Sequence, residues 1–346
     1  MAIAVNVAYL NARIRTIASG ADVQVIEIDG GSGPATALTP TTRPDPVAGP
    51  GQIRIRVRAA GVNRPDLLQR RGLYPAPTGA SDILGLEVAG EIDQVGEGVA
   101  RWTQGDRVCA LLGGGGYAGF AVVDARHALP VPEGMDFIQA GSLPETVCTV
   151  YANVFEAGAL KAGETLLVHG ATSGIGVTAI QMARAAGARV VATSRGAAKA
   201  QAARELGADL SLDATTDDLE AAIAAFGGVD VVLDMVGADY AALNQAVLKP
   251  MGRWVVIATL SGARAQIDLA RLMMKRIVLT GSTLRARPAD EKARLIAAVE
   301  TVAWPWVASG AVQPPVEAVF PLADAKLAHL QLEAGEHVGK IVLSVD

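Results

Sequence analysis

The sequence predicts an α/β protein in which a β-rich unit precedes a doubly wound parallel sheet. Three observations carry that prediction. The short apolar run Leu166-Leu167-Val168-His169 ends in a small-residue turn, Gly170-Ala171-Thr172-Ser173-Gly174-Ile175-Gly176, and an Ala/Gln/Met-rich helical segment over 177–186 follows at once. From about residue 146 onward, apolar strands and helical segments alternate, which implies a parallel sheet with right-handed crossovers. Before that point the chain reads as short β-like runs with glycine at close intervals.

The elements follow in order. Residues 24–62 read as strands broken at Gly30-Gly31-Ser32-Gly33-Pro34 and at Pro44-Asp45-Pro46. Arg54, Arg56 and Arg58 alternate with Ile53, Ile55 and Val57, the pattern of a strand with one wet face. Across 84–123 the glycines Gly85, Gly90, Gly96, Gly98, Gly105 and Gly113 to Gly116 suit a small barrel or curled sheet. The later strands are placed at 165–169, 189–193, 229–234, 253–258 and 277–281, with a helix near 290–302 and a last strand at 340–343. No internal repeat or low-complexity segment is present.

At 346 residues, 51% hydrophobic and 19% charged, the chain is long enough for two cores and too apolar to be disordered. The net charge of −5 and the lack of a Lys/Arg run argue against nucleic acid or an anionic membrane as a main partner. No apolar span reaches transmembrane length. Met1 to Asn6 lack a charged start followed by a sustained apolar core, so no secretory signal is expected. Cys109 and Cys148 stand apart with no CxxC or Cys/His cluster. They read as core thiols in a reducing cytoplasm, without disulfide or zinc.

The turn at 170–176 points to chemistry. Gly174 and Gly176 leave room for a pyrophosphate to approach the backbone, where free N–H groups and the positive end of the helix dipole meet it. A site that prefers NAD usually ends the next strand in Asp or Glu to hold the ribose 2′-hydroxyl. This chain has Ser194 and Arg195 there, with Lys199 one helical turn on. Cations at that place pair with a 2′-phosphate, so the expected cofactor is NADPH. The same turn occurs in short-chain dehydrogenases, but none of Tyr9, Tyr74, Tyr117, Tyr151 and Tyr240 is followed by Lys four residues later, as their chemistry requires.

A β-rich unit, then the nucleotide-binding sheet, then a C-terminal return resembles the medium-chain dehydrogenase/reductase superfamily. The stretch Ala59-Ala60-Gly61-Val62-Asn63-Arg64-Pro65-Asp66 through Gly72-Leu73-Tyr74-Pro75 is similar to the first signature of its zinc-free quinone oxidoreductases. Gly85-Leu86-Glu87-Val88-Ala89-Gly90-Glu91 and Gly105-Asp106-Arg107-Val108 follow in the expected places. So do Leu233-Asp234-Met235-Val236-Gly237, Gly281-Ser282-Thr283-Leu284-Arg285 and Glu336-His337-Val338-Gly339-Lys340. Together they resemble the p53-induced NADPH:quinone oxidoreductase branch and its bacterial relatives, over about residues 24–346. The resemblance implies a GroES-like catalytic domain at 1–145 and 288–346, around a Rossmann domain at 146–287. Residues 1–22 fall outside it and read as an added arm or an upstream start without function. Zinc members carry Cys in the first signature and His in a Gly-His-Glu turn. Here Asn63 and Leu86 take those places, and neither holds zinc against water.

The resemblance further implies site roles. Asn63 and Tyr74 would face the nicotinamide end as catalytic residues, the Asn63 amide donating to the substrate carbonyl oxygen and the Tyr74 hydroxyl donating or relaying a proton. Thr149 would meet the nicotinamide ribose or pyrophosphate, and Ser173, Gly174, Ile175 and Gly176 the pyrophosphate. Lys199 falls on the place of the 2′-phosphate lysine, and Gly237 lies along the adenosine. Ala258, Thr283 and Leu284 would offer backbone groups to the carboxamide, and Lys340 would close the cleft. His169 is expected to fix its turn and Glu87 to play a structural role. One departure is Ala214, where relatives commonly carry a Tyr near the 2′-phosphate; Arg195 would substitute for that contact. Another is Tyr151 in place of Trp.

The implied reaction is hydride transfer from NADPH to a quinone or other conjugated carbonyl, with no metal. Reduction of enal, enone or enoyl-thioester double bonds is the neighbouring enzymatic alternative, and an NADPH-binding redox sensor is the alternative without catalysis. Family members form dimers by pairing edge strands, and the apolar Ile277-Val278-Leu279-Thr280 segment suits a homodimer of that kind.

Overall fold

A computed structural model describes residues 22–346. The expected N-terminal arm therefore lies outside the described residues, apart from Asp22. Strands are numbered along the chain. β1 (Asp22–Ile28) and β2 (Leu38–Pro44) pair as an antiparallel ribbon. The β-rich sheet contains β3 (Gln52–Val62), β4 (Glu87–Val95), β5 (Arg107–Leu111), β6 (Phe120–Asp124), β7 (Ala128–Pro130), β14 (Val316–Pro321) and β15 (Lys340–Ser344). Its order is β14-β15-β3-β4-β5-β7, with β6 also on β3. β3 leaves no room for a side chain at Gly90 of β4: a Cβ there would sit 1.9 Å from the Arg56 carbonyl oxygen.

The second sheet contains β8 (Thr165–His169), β9 (Arg189–Ser194), β10 (Leu210–Asp213), β11 (Val229–Asp234), β12 (Leu248–Val256) and β13 (Val278–Gly281). All neighbours are parallel and the order is β10-β9-β8-β11-β12-β13. Strand order reverses between β8 and β11, and the crevice at their C-terminal ends is where such sheets take ligands. The helix Gly174–Ala185 buries Val177, Ala179, Ile180, Met182 and Ala183 over this sheet, and its small residues permit close approach. The last strands rejoin the first sheet, where β15 pairs with β3 and β14 with β15.

Four details differ from expectation, the first being that β14 was not among the expected strands. β10 is a further edge strand, too short at Leu210–Asp213 to display a period. β12 begins five residues earlier than its apolar run and stops at Val256, because its register shifts against β11 and Met251 takes a left-handed φ of 64°. Arg54 is not on a wet face. It is buried, its guanidinium donating to Asp93 from Nε at 2.7 Å and lying 4.5 Å over the Phe120 ring. Only Arg56 in that series is fully exposed.

Candidate active site

At the switch point the turn after β8 shapes itself. Ser173 caps the helix Gly174–Ala185: its hydroxyl accepts from the Gly176 N–H at 3.0 Å and donates to the Gly170 carbonyl at 2.8 Å. That hydroxyl holds the turn, whereas the sequence reading gave it to a pyrophosphate. The N–H groups of Gly174 and Ile175 have no acceptor among the described residues and belong to the orphan donors of a helix start. A Cβ on Gly176 would lie 2.4 Å from the Gly170 oxygen and one on Gly174 2.6 Å from Lys340 Cδ.

At the end of β9, Ser194 is buried and its hydroxyl has no partner among the described residues. Arg195 beside it is exposed and makes no ion pair among the described residues. Lys199 is differently engaged than expected, because its ammonium donates to the Gly335 carbonyl. The neighbouring Asp213 carboxylate accepts from Gly196 N–H at 2.8 Å and from Thr215. These bonds hold it below the usual carboxylate range. An unsatisfied hydroxyl, a guanidinium without an ion pair among the described residues and a glycine-lined turn with open N–H groups fit a nicotinamide dinucleotide.

Gly237 follows β11 with φ +90°. Asp234 accepts its N–H at 2.9 Å and, with its other oxygen, the Asn244 amide and the Trp254 indole. His169 is wholly buried between Thr193 Oγ1 and Asn244 Oδ1, both at 2.8 Å, and burial lowers its pKa. It ties Thr193 of β9 to Asn244, whereas the sequence reading gave it to its own turn. Thr149 is half-buried on the helix Pro144–Val150, with its carbonyl taken by Asn153 Nδ2. Ala258 lies beyond β12 on irregular chain, Thr283 is exposed after β13, and Leu284 is buried beside it.

The catalytic end is built on charge. Asn63 closes β3 and starts the helix Arg64–Arg70. Its amide donates to Glu87 Oε1 at 2.8 Å, and its carbonyl oxygen accepts from Lys340 Nζ at 2.6 Å. Lys340 also bonds Glu87 Oε1 at 2.7 Å and reaches toward the Val62 carbonyl at 3.5 Å. Glu87 is fully buried and Lys340 only 2% exposed. The expectation for Lys340 is thereby corrected: its three protons are directed at protein acceptors, and it orients Asn63 from beneath Gly174. Gly61 makes room for this, since a Cβ there would stand 2.0 Å from Glu87 Oε1. One Asn63 amide hydrogen is committed to Glu87, and the other faces only the Gly61 carbonyl at 3.4 Å.

A second buried chain supports the first. Asp66 accepts the Asn63 N–H at 2.8 Å and the Gly85 N–H at 3.1 Å, and burial pushes its carboxyl up to about 6. Tyr117 bonds Asp66 and His329, and Arg70 bonds the other His329 nitrogen at 3.1 Å. Arginine only donates, so His329 accepts at Nδ1 and carries its proton on Nε2, toward Tyr117. Burial, then Arg70, brings His329 down to about 3. Tyr74 is half-buried, with the Arg285 guanidinium 5.4 Å from its ring centroid. Arg285 donates to Gly113 O at 2.8 Å and Gln69 Oε1 at 2.7 Å, tying the segment after β13 to the β-rich unit.

Sequence reasoning missed Glu145. It is the one charged residue between Asp136 and Glu156, a lone carboxylate in an apolar stretch, and that was the available signal. Its N–H donates to Glu87 Oε2 at 2.9 Å. Burial and then Glu87 push its carboxyl up to about 8.

Comparison with known proteins agrees with this geometry. Residues 49–133 match the family model described as alcohol dehydrogenase GroES-like domain, and 174–301 the one described as zinc-binding dehydrogenase. A quinone oxidoreductase of Pseudomonas aeruginosa is 32% identical over 300 residues, covering 85% of this chain and 91% of that protein. A polyketide synthase of Streptomyces halstedii is 34% identical over 295 residues, 85% of this chain but 5% of that protein. The crystal structure of Escherichia coli quinone oxidoreductase complexed with NADPH superposes with a TM-score of 0.81 at 28% identity, covering 93% of this chain and 99% of that one. The chain belongs to the medium-chain dehydrogenase/reductase superfamily, in the branch that holds the quinone oxidoreductases, and is a nicotinamide-dependent oxidoreductase.

Proposed function

We propose that this protein reduces quinones with NADPH, without a metal ion. The observation that carries the metal-free part is the Asn63–Glu87–Lys340 cluster. An ammonium already occupies the space beside Glu87 and Asn63 and satisfies both, leaving no carboxylate there in need of a cation. The names borne by the Pseudomonas relative and the Escherichia structure support the quinone and the NADPH.

Bound NADPH would supply the hydride. Gly174, Ile175 and Gly176 would receive its pyrophosphate and Ser194, Arg195 and Lys199 its 2′-phosphate. Gly237 would line the adenosine, and Thr149, Ala258, Thr283 and Leu284 the nicotinamide ribose and carboxamide. Asn63, held by Lys340 and Glu87, and Tyr74 would orient the acceptor carbonyl. Domains at 1–145 with 288–346 and at 146–287 would close over the two ligands.

Steady-state oxidation of NADPH and NADH with 1,2- and 1,4-quinones, 2-enals and an enoyl thioester tests this reading. Fast loss of NADPH with quinones is expected. Turnover confined to enals or the thioester would replace it with double-bond reduction, which the likeness to a polyketide synthase segment favours as second reading. NADPH binding without turnover would leave a sensor. Arg195→Ala is expected to raise KM for NADPH about 10- to 100-fold, the worth of a charged hydrogen bond, and to leave NADH unchanged. An equal effect on both would remove Arg195 from the 2′-phosphate.

The compartment consistent with two buried unpaired thiols is the cytoplasm. Among the described residues no helix is long and apolar enough to cross a membrane. A second copy of the chain is the proposed partner of β13, an edge strand that exposes Val278 and Leu279. Ile277, which the sequence reading included, is buried in the core instead. Leu269, Met273 and Met274 extend the apolar surface alongside. Leu279→Lys is expected to yield monomers by light scattering; a dimer that persists would place the interface elsewhere.

A further inference from the structure

Hydride arrival at a quinone leaves an oxyanion that must gain a proton. Asn63, singled out by sequence, serves this poorly. It is pinned by Glu87 and Lys340, and an amide yields no proton. Glu145 is placed differently. It sits one helical turn before Thr149, and residues four apart share a helix face. Thr149 is the only half-buried residue of the otherwise buried run 140–150, and in the function proposed above it meets the nicotinamide ribose. The Glu145 side chain is more than nine-tenths buried, yet its carboxyl oxygens accept no hydrogen bond among the described residues. Its main chain is fixed on Glu87, which in turn holds Asn63. Tyr74 from the β-rich unit and Arg285 from the segment after β13 are close enough for their charges to be felt by it or to feel it.

We propose that Glu145 is the proton donor of the reaction. This rests on the quinone reading above. Hydride leaves the nicotinamide, which is oxidised, and bonds to the quinone, which is reduced. The O–H bond of Glu145 breaks and its proton bonds to the quinone oxygen, giving the hydroquinone and a Glu145 carboxylate. Solvent then returns a proton to that carboxylate.

The surroundings keep the acid charged with its proton at neutral pH. Burial and the facing carboxylates of Glu87 and Asp66 oppose ionisation, while Lys340 and Arg285 favour it less strongly; the carboxyl is held near 8. Lys292, Tyr74 and Cys148 are the other titratable groups that feel its charge. A buried carboxylic acid poised near working pH is suited to general acid catalysis.

The test has two arms on the full chain. Infrared difference titration of the protein without cofactor reads the protonated carboxyl directly: a carbonyl band persisting above pH 7 and missing from Glu145→Gln is expected. The second arm is the single-turnover rate of hydride transfer from NADPH to 1,4-benzoquinone against pH. The wild type should lose rate as pH rises through about 8. Glu145→Gln should be about 100-fold slower with that limb gone, and Glu145→Asp should recover part of the rate with a displaced limb. Unchanged NADPH affinity and melting temperature certify that the variants fold. An ionised Glu145 at pH 6, or a Glu145→Gln variant that keeps the wild-type limb, overturns the proposal. If the wild type turns over no acceptor, the quinone reading fails and the donor role with it, while the infrared arm still reports the proton on Glu145.

Discussion

Lys340→Met should lower the free energy of unfolding by about 3–5 kcal/mol, the cost of leaving one member of a buried ion pair alone. Methionine keeps the stem that packs beneath Gly174, so the loss isolates the charge. Glu87 would keep the Asn63 amide and the Glu145 N–H as donors but lose its cation. Denaturant midpoints measure the effect, and Glu87→Gln in the Lys340→Met background should recover much of it, because the uncompensated charge is then gone. A single variant as stable as the wild type would mean that the pair is not formed in solution. The same change frees the Asn63 carbonyl oxygen, so hydride transfer should slow even at temperatures where the variant is fully folded.

Gly176→Ala should remove NADPH binding more completely than any cation substitution. The added Cβ meets Gly170 O at 2.4 Å and Ala171 C at 2.6 Å, backbone atoms that cannot swing aside. The turn must open, and with it go the Ser173 cap and the alignment of the Gly174 and Ile175 N–H groups. Overpacking of this kind costs about 1–3 kcal/mol of stability. Loss of two or more charge-assisted hydrogen bonds weakens binding by about 100-fold or more. Calorimetric titration with NADPH checks it. Binding within about threefold of wild type would place the pyrophosphate away from this turn.

Much of the fold was legible because its signals are local. The strand before Gly170, the small-residue turn and the helix after it lie within about twenty residues, and each obeys its own periodicity. The edge strand Leu210–Asp213 was harder, since four residues with Ser and Asp among them carry no pattern. The site was half legible. Asn63 could be located by motif, but its partners Glu87 and Lys340 stand 24 and 277 residues away, and no spacing rule couples them. Lys340 reads as a charge before an apolar strand, and Glu145 as an acid at a helix start. Only tertiary packing buries them, and burial is what gives them their chemistry. Lys199 shows the converse: a cation at the right spacing whose ammonium is drawn to a carbonyl of the C-terminal return.

The pairing of β15 with β3 also fixes an order of events in the making of the protein. β3 is synthesised early, yet one of its neighbours is a strand from which it is separated by the entire six-stranded sheet. Until β15 emerges from the ribosome, β3 presents an open strand edge and Glu87 lacks its ammonium partner. Contacts so distant along the chain form slowly, and open edges invite wrong pairing meanwhile. The nucleotide-binding sheet, whose strands are contiguous in sequence, is free to form first. The β-rich sheet can be completed only once β15 is made, and until then β3 keeps an open edge on which wrong pairing is possible.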